Sequence, residues 1–330
     1  MTLRRVAWFV VACLILVAVT VVSVAVGSAP LPLGTVWSAL TAPDGSIDHN
    51  TILQLRLPRT VLGLLVGAAL GVGGALMQAL TRNPLADPGL LGVNAGAALA
   101  VAAGVAFFGV TQIGQYLPLS LAGAVLGAIL VAAIAARAPG GATGLRLTLV
   151  GVAVTAVFNG IAMGLSLLSP LYFDRMRFWG VGSIADRPEG TVAAVAPLIV
   201  VGLVLSLLSG RALNTLALGE EMAVAMGTRV AATRLTGVLG LVLMCGAATA
   251  AAGPIAFIGL MIPHAVRLAA GVDQRWVMAF AVVLGPALLL TADILGRLVI
   301  WPDELSVGVM TPLLGAPVLI WLVRRVGSDR

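Results

Sequence analysis

Long apolar runs separated by short polar breaks fill the chain from end to end. Ten runs can be traced, at about residues 6–26, 58–80, 89–110, 117–136, 145–168, 191–209, 231–251, 254–270, 276–300 and 307–323. Each is close to the roughly 20 residues that a helix needs to cross the hydrocarbon layer. The pattern predicts an all-α polytopic membrane protein with about ten transmembrane helices. Residues 1–330 read as a single transmembrane domain. The first run follows Arg4-Arg5 and has the outline of a signal peptide. It is long for one, and nine further runs follow, so it is expected to stay as the first helix.

Three polar breaks are long: 27–57, 169–190 and 210–230. The first carries a short amphipathic piece, Thr35 to Leu40, and the second has room for another short helix. In the third, Leu213, Leu216 and Ala217, then Glu220 to Met226, predict two short helices hinged at Gly219. Its apolar residues are too few to span and too regular for a slack linker. Exposed apolar positions beside charges suit docking onto another protein.

Composition excludes several classes. With 60% apolar and 10% charged residues, the chain cannot be a soluble enzyme, which has about a quarter charged residues, nor a disordered segment. All nineteen basic residues are Arg. Without Lys there is no Walker A loop and no Schiff base, so any work driven by ATP needs a partner. Cys13 and Cys245 each lie within an apolar run and form no CxxC, which gives no support to a metal or haem site. No cofactor is expected.

Arginine also sets the orientation. With a cytoplasmic N-terminus, thirteen Arg fall inside and six, Arg56, Arg59, Arg175, Arg177, Arg187 and Arg297, fall outside. Eight acids fall outside and five inside, leaving about +8 inside and −2 outside. Both termini are expected in the cytoplasm. The net +6 reflects this asymmetry rather than nucleic-acid binding.

Chemistry-bearing residues are few. Glycine pairs at Gly63/Gly67/Gly71, Gly92/Gly96, Gly123/Gly127 and Gly160/Gly164 suit close helix packing in lipid. Between runs two and three, two prolines bracket Arg82, Asn83 and Asp87, which fits either a pathway constriction or a plain turn with a capping Asp. Gly253-Pro254 is expected to start a helix and Pro263 to end or kink one; His264 has no second His near it. Asp293 and Arg297 are four apart on one helix face. Either they pair within the membrane, or Arg297 reaches the outer surface and joins Arg56 and Arg59.

At these segments the sequence resembles the FecCD-type permeases of bacterial ABC importers for ferric siderophores, haem and cobalamin. The matching stretches are Arg56-Leu-Pro-Arg59, Gln78 through Gly96, Phe178-Trp179 with Gly182-Ser183, Leu213-Asn214 to Gly227, Gly253-Pro254 to His264, and Asp293-Ile-Leu-Gly-Arg297. The wording from Leu80 to Gly96 is nearest to permeases for ferric enterobactin. One departure is Ser306, where the family pattern carries Pro, and it bears on the last outer loop.

The resemblance implies a type II ABC importer permease in the bacterial plasma (inner) membrane. Its partners would be a cytosolic ABC ATPase dimer, a second permease subunit, identical or paralogous, and a periplasmic or lipid-anchored siderophore-binding protein. The cargo would be a ferric siderophore, and the subunit itself would catalyse no reaction. It also implies site residues. Asn83 and Leu85 belong to the gate along the path. Leu213, Asn214, Leu218, Gly219, Glu220, Glu221 and Gly227 meet the ATPase, and Arg56, Arg59 and Arg297 receive the binding protein. A haem or cobalamin permease would share this fold. An ion-coupled transporter would need embedded carboxylates, and only Asp87 and Asp293 come close. A membrane enzyme would need a clustered constellation that two distant His do not supply.

Overall fold

The computed structural model describes residues 2–27, 31–137, 144–168, 176 and 179–328. The expectations resting on Arg175, Arg177, Phe178 and Arg330, and on most of a helix within 169–190, lie outside these residues.

The described chain is helical throughout. Its long helices are α1 (Thr2–Ala25), α4 (Leu57–Thr81), α5 (Val93–Phe108), α6 (Ile113–Arg137), α7 (Gly144–Leu168), α8 (Thr191–Leu208), α11 (Val230–Ala252), α12 (Ile258–Ala270), α13 (Gln274–Val299) and α14 (Val307–Ser328). Short helices are α2 (Leu33–Thr41), α3 (Ile47–Asn50), α9 (Gly210–Ala217) and α10 (Glu220–Ala225). Seven helices in the described residues are long and apolar enough to cross a membrane, and three shorter apolar helices join them. Together they match the ten runs of the sequence, and the protein is a multi-pass membrane protein. In lipid every backbone N–H and C=O must be satisfied within the chain, so an apolar run of this length becomes a helix.

α4 is the hub. It packs on α13, α11, α12 and α8, and most of its residues from Leu62 to Ala79 are buried. Glycine makes this possible. A Cβ at Gly67 would stand 2.5 Å from Pro286 Cα, and one at Gly74 would collide with the carbonyl oxygen of Gly259. The Gly96–Gly123 and Gly92–Gly127 approaches join α5 to α6 in the same way. α1 and α7 lie at the periphery, each with only 11% of its most apolar stretch buried.

Neighbours across the bundle sort its two ends. A Cβ at Gly271 would stand 3.0 Å from Arg5 Nη2, and one at Gly210 would stand 3.1 Å from Arg275 Cγ. These share one end with α9 and α10. At the opposite end, Gly27 lies against Arg56, and Ser183 N donates to Ala252 O. This second end carries Arg59.

Two expectations change. The 27–57 break is not all loop: α3 runs through a π-helical turn (Thr51–Arg56) directly into α4. Pro58 lacks the N–H and crowds the carbonyl four residues back, and a π turn just ahead of it absorbs the misfit. Arg56 and Arg59 therefore sit on a continuous helical rod. Second, Gly253-Pro254 does not start α12. The chain stays non-helical to Phe257 and the helix begins at Ile258. Positive φ at Gly253 (+74°) and Phe257 (+73°) prevents an earlier start.

Candidate functional site: two polar ends joined by α13

At the Arg59 end a buried charge cluster joins three helices. Asp293 on α13 is 1% exposed and takes bonds from two arginines. Arg59 Nη2 reaches Asp293 Oδ1 at 2.8 Å, and Arg297 pairs with Asp293 Oδ2 through Nη2. Arg59 also reaches Glu304 at 2.6 Å. The four-residue spacing left two alternatives, and the structure combines them: Arg297 is 1% exposed and pairs with Asp293, and it also lies with Arg56 and Arg59 at one end of the bundle. Its Nη1 donates to Ser23 O and Val26 O, both at 2.7 Å. Arg56 donates to Val24 O and Ala25 O at 3.1 and 2.6 Å. Ser23, Val24 and Ala25 stand in the last turn of α1 and Val26 just past it, so their carbonyls have no intrahelical partner. Two guanidinium groups at a helix C-terminus satisfy them and oppose the negative end of the helix dipole. Arg56 and Arg297 thus anchor α1, while Arg59 stands nearer the surface beside Glu304.

A cavity of about 880 Å³ opens beside this cluster. Arg56, Arg59, Arg187 and Arg297 line it, with Asp186, Glu189 and Glu304. Arg187 donates to Ser183 O from Nε and Nη2, at 3.0 and 2.7 Å. Burial pushes its guanidinium down to about 10, against the pull of Asp186. Glu304 and Arg187 were not among the residues singled out in the sequence. The Glu304 contact with Arg59 spans 245 residues, and no local spacing announces it; Arg187 bonds locally to Ser183 O, four residues back, but nothing in the sequence shows that it lines a cavity with Arg59.

In the 82–92 segment, Asn83 Nδ2 donates to Thr148 Oγ1 on α7 at 3.0 Å, and its Oδ1 accepts from Leu85 N. Leu85 is half exposed. Asp87 accepts from Gly89 N at 2.9 Å and caps the short 3₁₀ turn Pro88–Leu91. Nearby, Gln78 bridges Gly259 O and Arg267, tying α4 to α12.

At the opposite end α9 and α10 form the expected pair of short helices, separated by Gly219 with φ of +113°. Leu213 and Leu216 are buried and root α9 in the main core. Leu218, Met222, Val224 and Met226 are 53–65% exposed and form an apolar rim. Glu220 pairs with Arg234 at 2.7 Å, Glu221 is exposed, and Gly227 has φ of +79°. Asn214 Nδ2 donates to Asp273 Oδ1, and Gln274 N donates to Asn214 Oδ1, both at 2.8 Å. Asp273 caps α13 by accepting from Arg275 N. The Arg275 guanidinium first, then the Asn214 amide, hold the Asp273 carboxyl down at about 2, against a smaller upward push from burial. Asp273 was missed, although an Asp just before an apolar run is a legible helix start.

Comparison with known proteins agrees over nearly the whole chain. The ferric enterobactin transport system permease protein FepD of Escherichia coli K12 is 48% identical over 313 residues, 94% of this chain and 93% of that one. The probable siderophore transport system permease protein YfiZ of Bacillus subtilis is 38% identical over 96% of each. The hemin transport system permease protein HmuU of Yersinia pestis is 36% identical over 96% and 95%. A solved metal-chelate type ABC transporter in an inward-facing conformation superposes with a TM-score of 0.83 at 25% identity, over 97% of this chain and 99% of that one. The FecCD transport family matches residues 15–325, and the chain belongs to that family.

Proposed function

We propose that the chain is the permease subunit of an ABC importer that moves a ferric siderophore, of the catecholate kind, across the bacterial plasma membrane. The observation that carries this reading is the 48% identity, over 94% of the chain, to a ferric enterobactin permease. The absence of Lys supports a separate ATPase. The exposed apolar rim of α9 and α10 supports its docking there: Leu218, Met222, Val224 and Met226 are costly to leave in water. On this reading residues 1–330 are one transmembrane unit, the Arg5 end with both termini faces the cytoplasm, and the Arg59 end faces outward. The inner excess of Arg supports that orientation.

The site residues keep these proposed roles. Glu220, Glu221, Leu218 and the Gly219 and Gly227 turns meet the ATPase, with Leu213 and Asn214 beneath them. Asn83 and Leu85 flank the path beside a second permease. Of the three docking arginines, Arg59 is the one best supported. It lies at the cavity mouth with Glu304, whose place an acidic side chain of the binding protein can take. Arg56 and Arg297 contribute through their field while bound to α1. ATP-driven tilting of α9 and α10 then alternates access to the path.

The test is uptake into vesicles carrying the permease with its ATPase and binding protein. Radiolabelled ferric enterobactin is expected to accumulate only with ATP, and haem much less. ATP-independent accumulation driven by a proton gradient would overturn the reading.

A further inference from the structure

α13 joins the two polar ends. It has 26 residues, about 39 Å at roughly 1.5 Å per residue. At one end Asp273 and Gln274 are held by the Asn214 amide of α9. At the other, Asp293 and Arg297 grip Arg59 of α4 and the last carbonyls of α1. Between them α13 lies against α4 backbone to backbone. Gly285 and Pro286 meet Gly67, and Ala281 O meets Gly71. Pro286 removes one backbone hydrogen bond near the middle of α13, but there the helix is clamped on Gly67, which leaves little room to bend, because packed interfaces are not continuously deformable.

α9 and α13 meet through few polar contacts, and the Asn214 side chain makes two of them. Its amide is used in both senses at once, donating to a carboxylate and accepting from the first N–H of the helix. That bidentate geometry fixes both the distance and the rotation of α9 against the α13 cap. A buried leucine such as Leu213 holds α9 in the core without fixing its rotation.

We propose that Asn214 and Asp273 are a positioning pair that transmits the movement of the α9–α10 helices into α13, and through it to the Arg59–Asp293–Arg297 cluster. The inference rests on the ABC permease reading and adds a route by which the ATPase end addresses the outer end.

The experiment uses the full transporter in vesicles, with radiolabelled ferric enterobactin and ATP, and spin labels at the exposed Arg211→Cys on α9 or Asp303→Cys beside Glu304. Asn214→Asp sets two carboxylates face to face. Uptake per ATP hydrolysed is expected to fall by about tenfold or more, the scale of losing a charge-assisted hydrogen bond. The Asp303 label should lose its ATP response while the Arg211 label keeps it. The exchange Asn214→Asp with Asp273→Asn restores the donor–acceptor pair with the roles reversed, and should restore both readouts to within about twofold. A merely structural role predicts loss of both labels' responses together. The proposal is overturned if Asn214→Asp leaves the Asp303 response intact. It is equally overturned if the exchange fails to restore that response, whether or not the single variant folds. If the unaltered transporter shows no ATP response at either label, the ABC reading itself falls.

Discussion

α4 and α7 begin from the same premise and end in opposite places. Each has 25 residues, and each carries glycines four apart. Yet 83% of the most apolar stretch of the rod containing α4 is buried, against 11% for α7. Every glycine of α4 has an atom of another helix within contact range, whereas Gly160 and Gly164 of α7 have nothing within 4 Å among the described residues. A small-residue pattern therefore announces a close approach without saying to what. In α4 the partner is α13, α12 or α11 of the same chain. In α7 the face is open among the described residues, with Asn159 exposed beside Gly160, so it is left for lipid or for another chain.

The largest expected effect lies where α4 is fastened to α13. Asp293→Ala leaves Arg59 and Arg297 without their shared carboxylate in a buried site. Removing one partner of a buried pair typically costs about 3–5 kcal/mol. Here one carboxylate serves two arginines, so little folded protein should survive. The check is the thermal midpoint and yield of the detergent-purified subunit; a midpoint within a few degrees of the parent would show that Glu304 takes over Arg59 and that the cluster is not what fastens α4.

Next comes Gly74→Ala. The added methyl meets the Gly259 carbonyl, which is backbone and cannot rotate away. Overpacking of this kind costs typically about 1–3 kcal/mol, occasionally more. α12 would have to shift, pulling Gln78 away from Gly259 O. Denaturation of the purified variant measures the cost, and an unchanged midpoint would mean that α12 tolerates the displacement.

These two sites also show what was legible in the sequence and why the rest was not. The ten runs could be read because lipid leaves the backbone one choice, so an apolar run long enough to span is a helix wherever it packs. The α9–α10 pair could be read because Gly219 breaks a regular pattern with a residue free to take φ of +113°. The Asp293–Arg297 pairing was readable as a possibility, since four residues bring two side chains to one face. The grouping of Arg297 with Arg56 and Arg59 was readable as the other possibility, but that Arg59 shares the Asp293 carboxylate, 234 residues away, and reaches Glu304, 245 away, was not, because nothing local encodes a contact between distant helices. The start of α12 was misplaced for the same reason. Gly-Pro is a good local start, but Gly253 and Phe257 hold positive φ, and the backbone at Gly253 passes so near Trp179 O that a Cβ there would clash with it.

The smallest expected effect is the one that sharpens the contrast most. Gly160→Ala and Gly164→Ala place a methyl where no atom of the described residues lies within 4 Å. In a helix interior Ala is favoured over Gly by roughly 0.5–1 kcal/mol. The isolated subunit should therefore become slightly more stable, the opposite of the Gly74 result. If the open face of α7 rests against a second permease, the same methyls would crowd that contact, and the assembled transporter should dissociate at lower denaturant or detergent than the parent. Opposite signs in the subunit and in the assembly mark a face built for another chain. Stabilisation in both would place the face against lipid, and destabilisation of the isolated subunit would require a neighbour within the chain itself. Size-exclusion of the assembled complex, read beside melting of the subunit alone, separates the three.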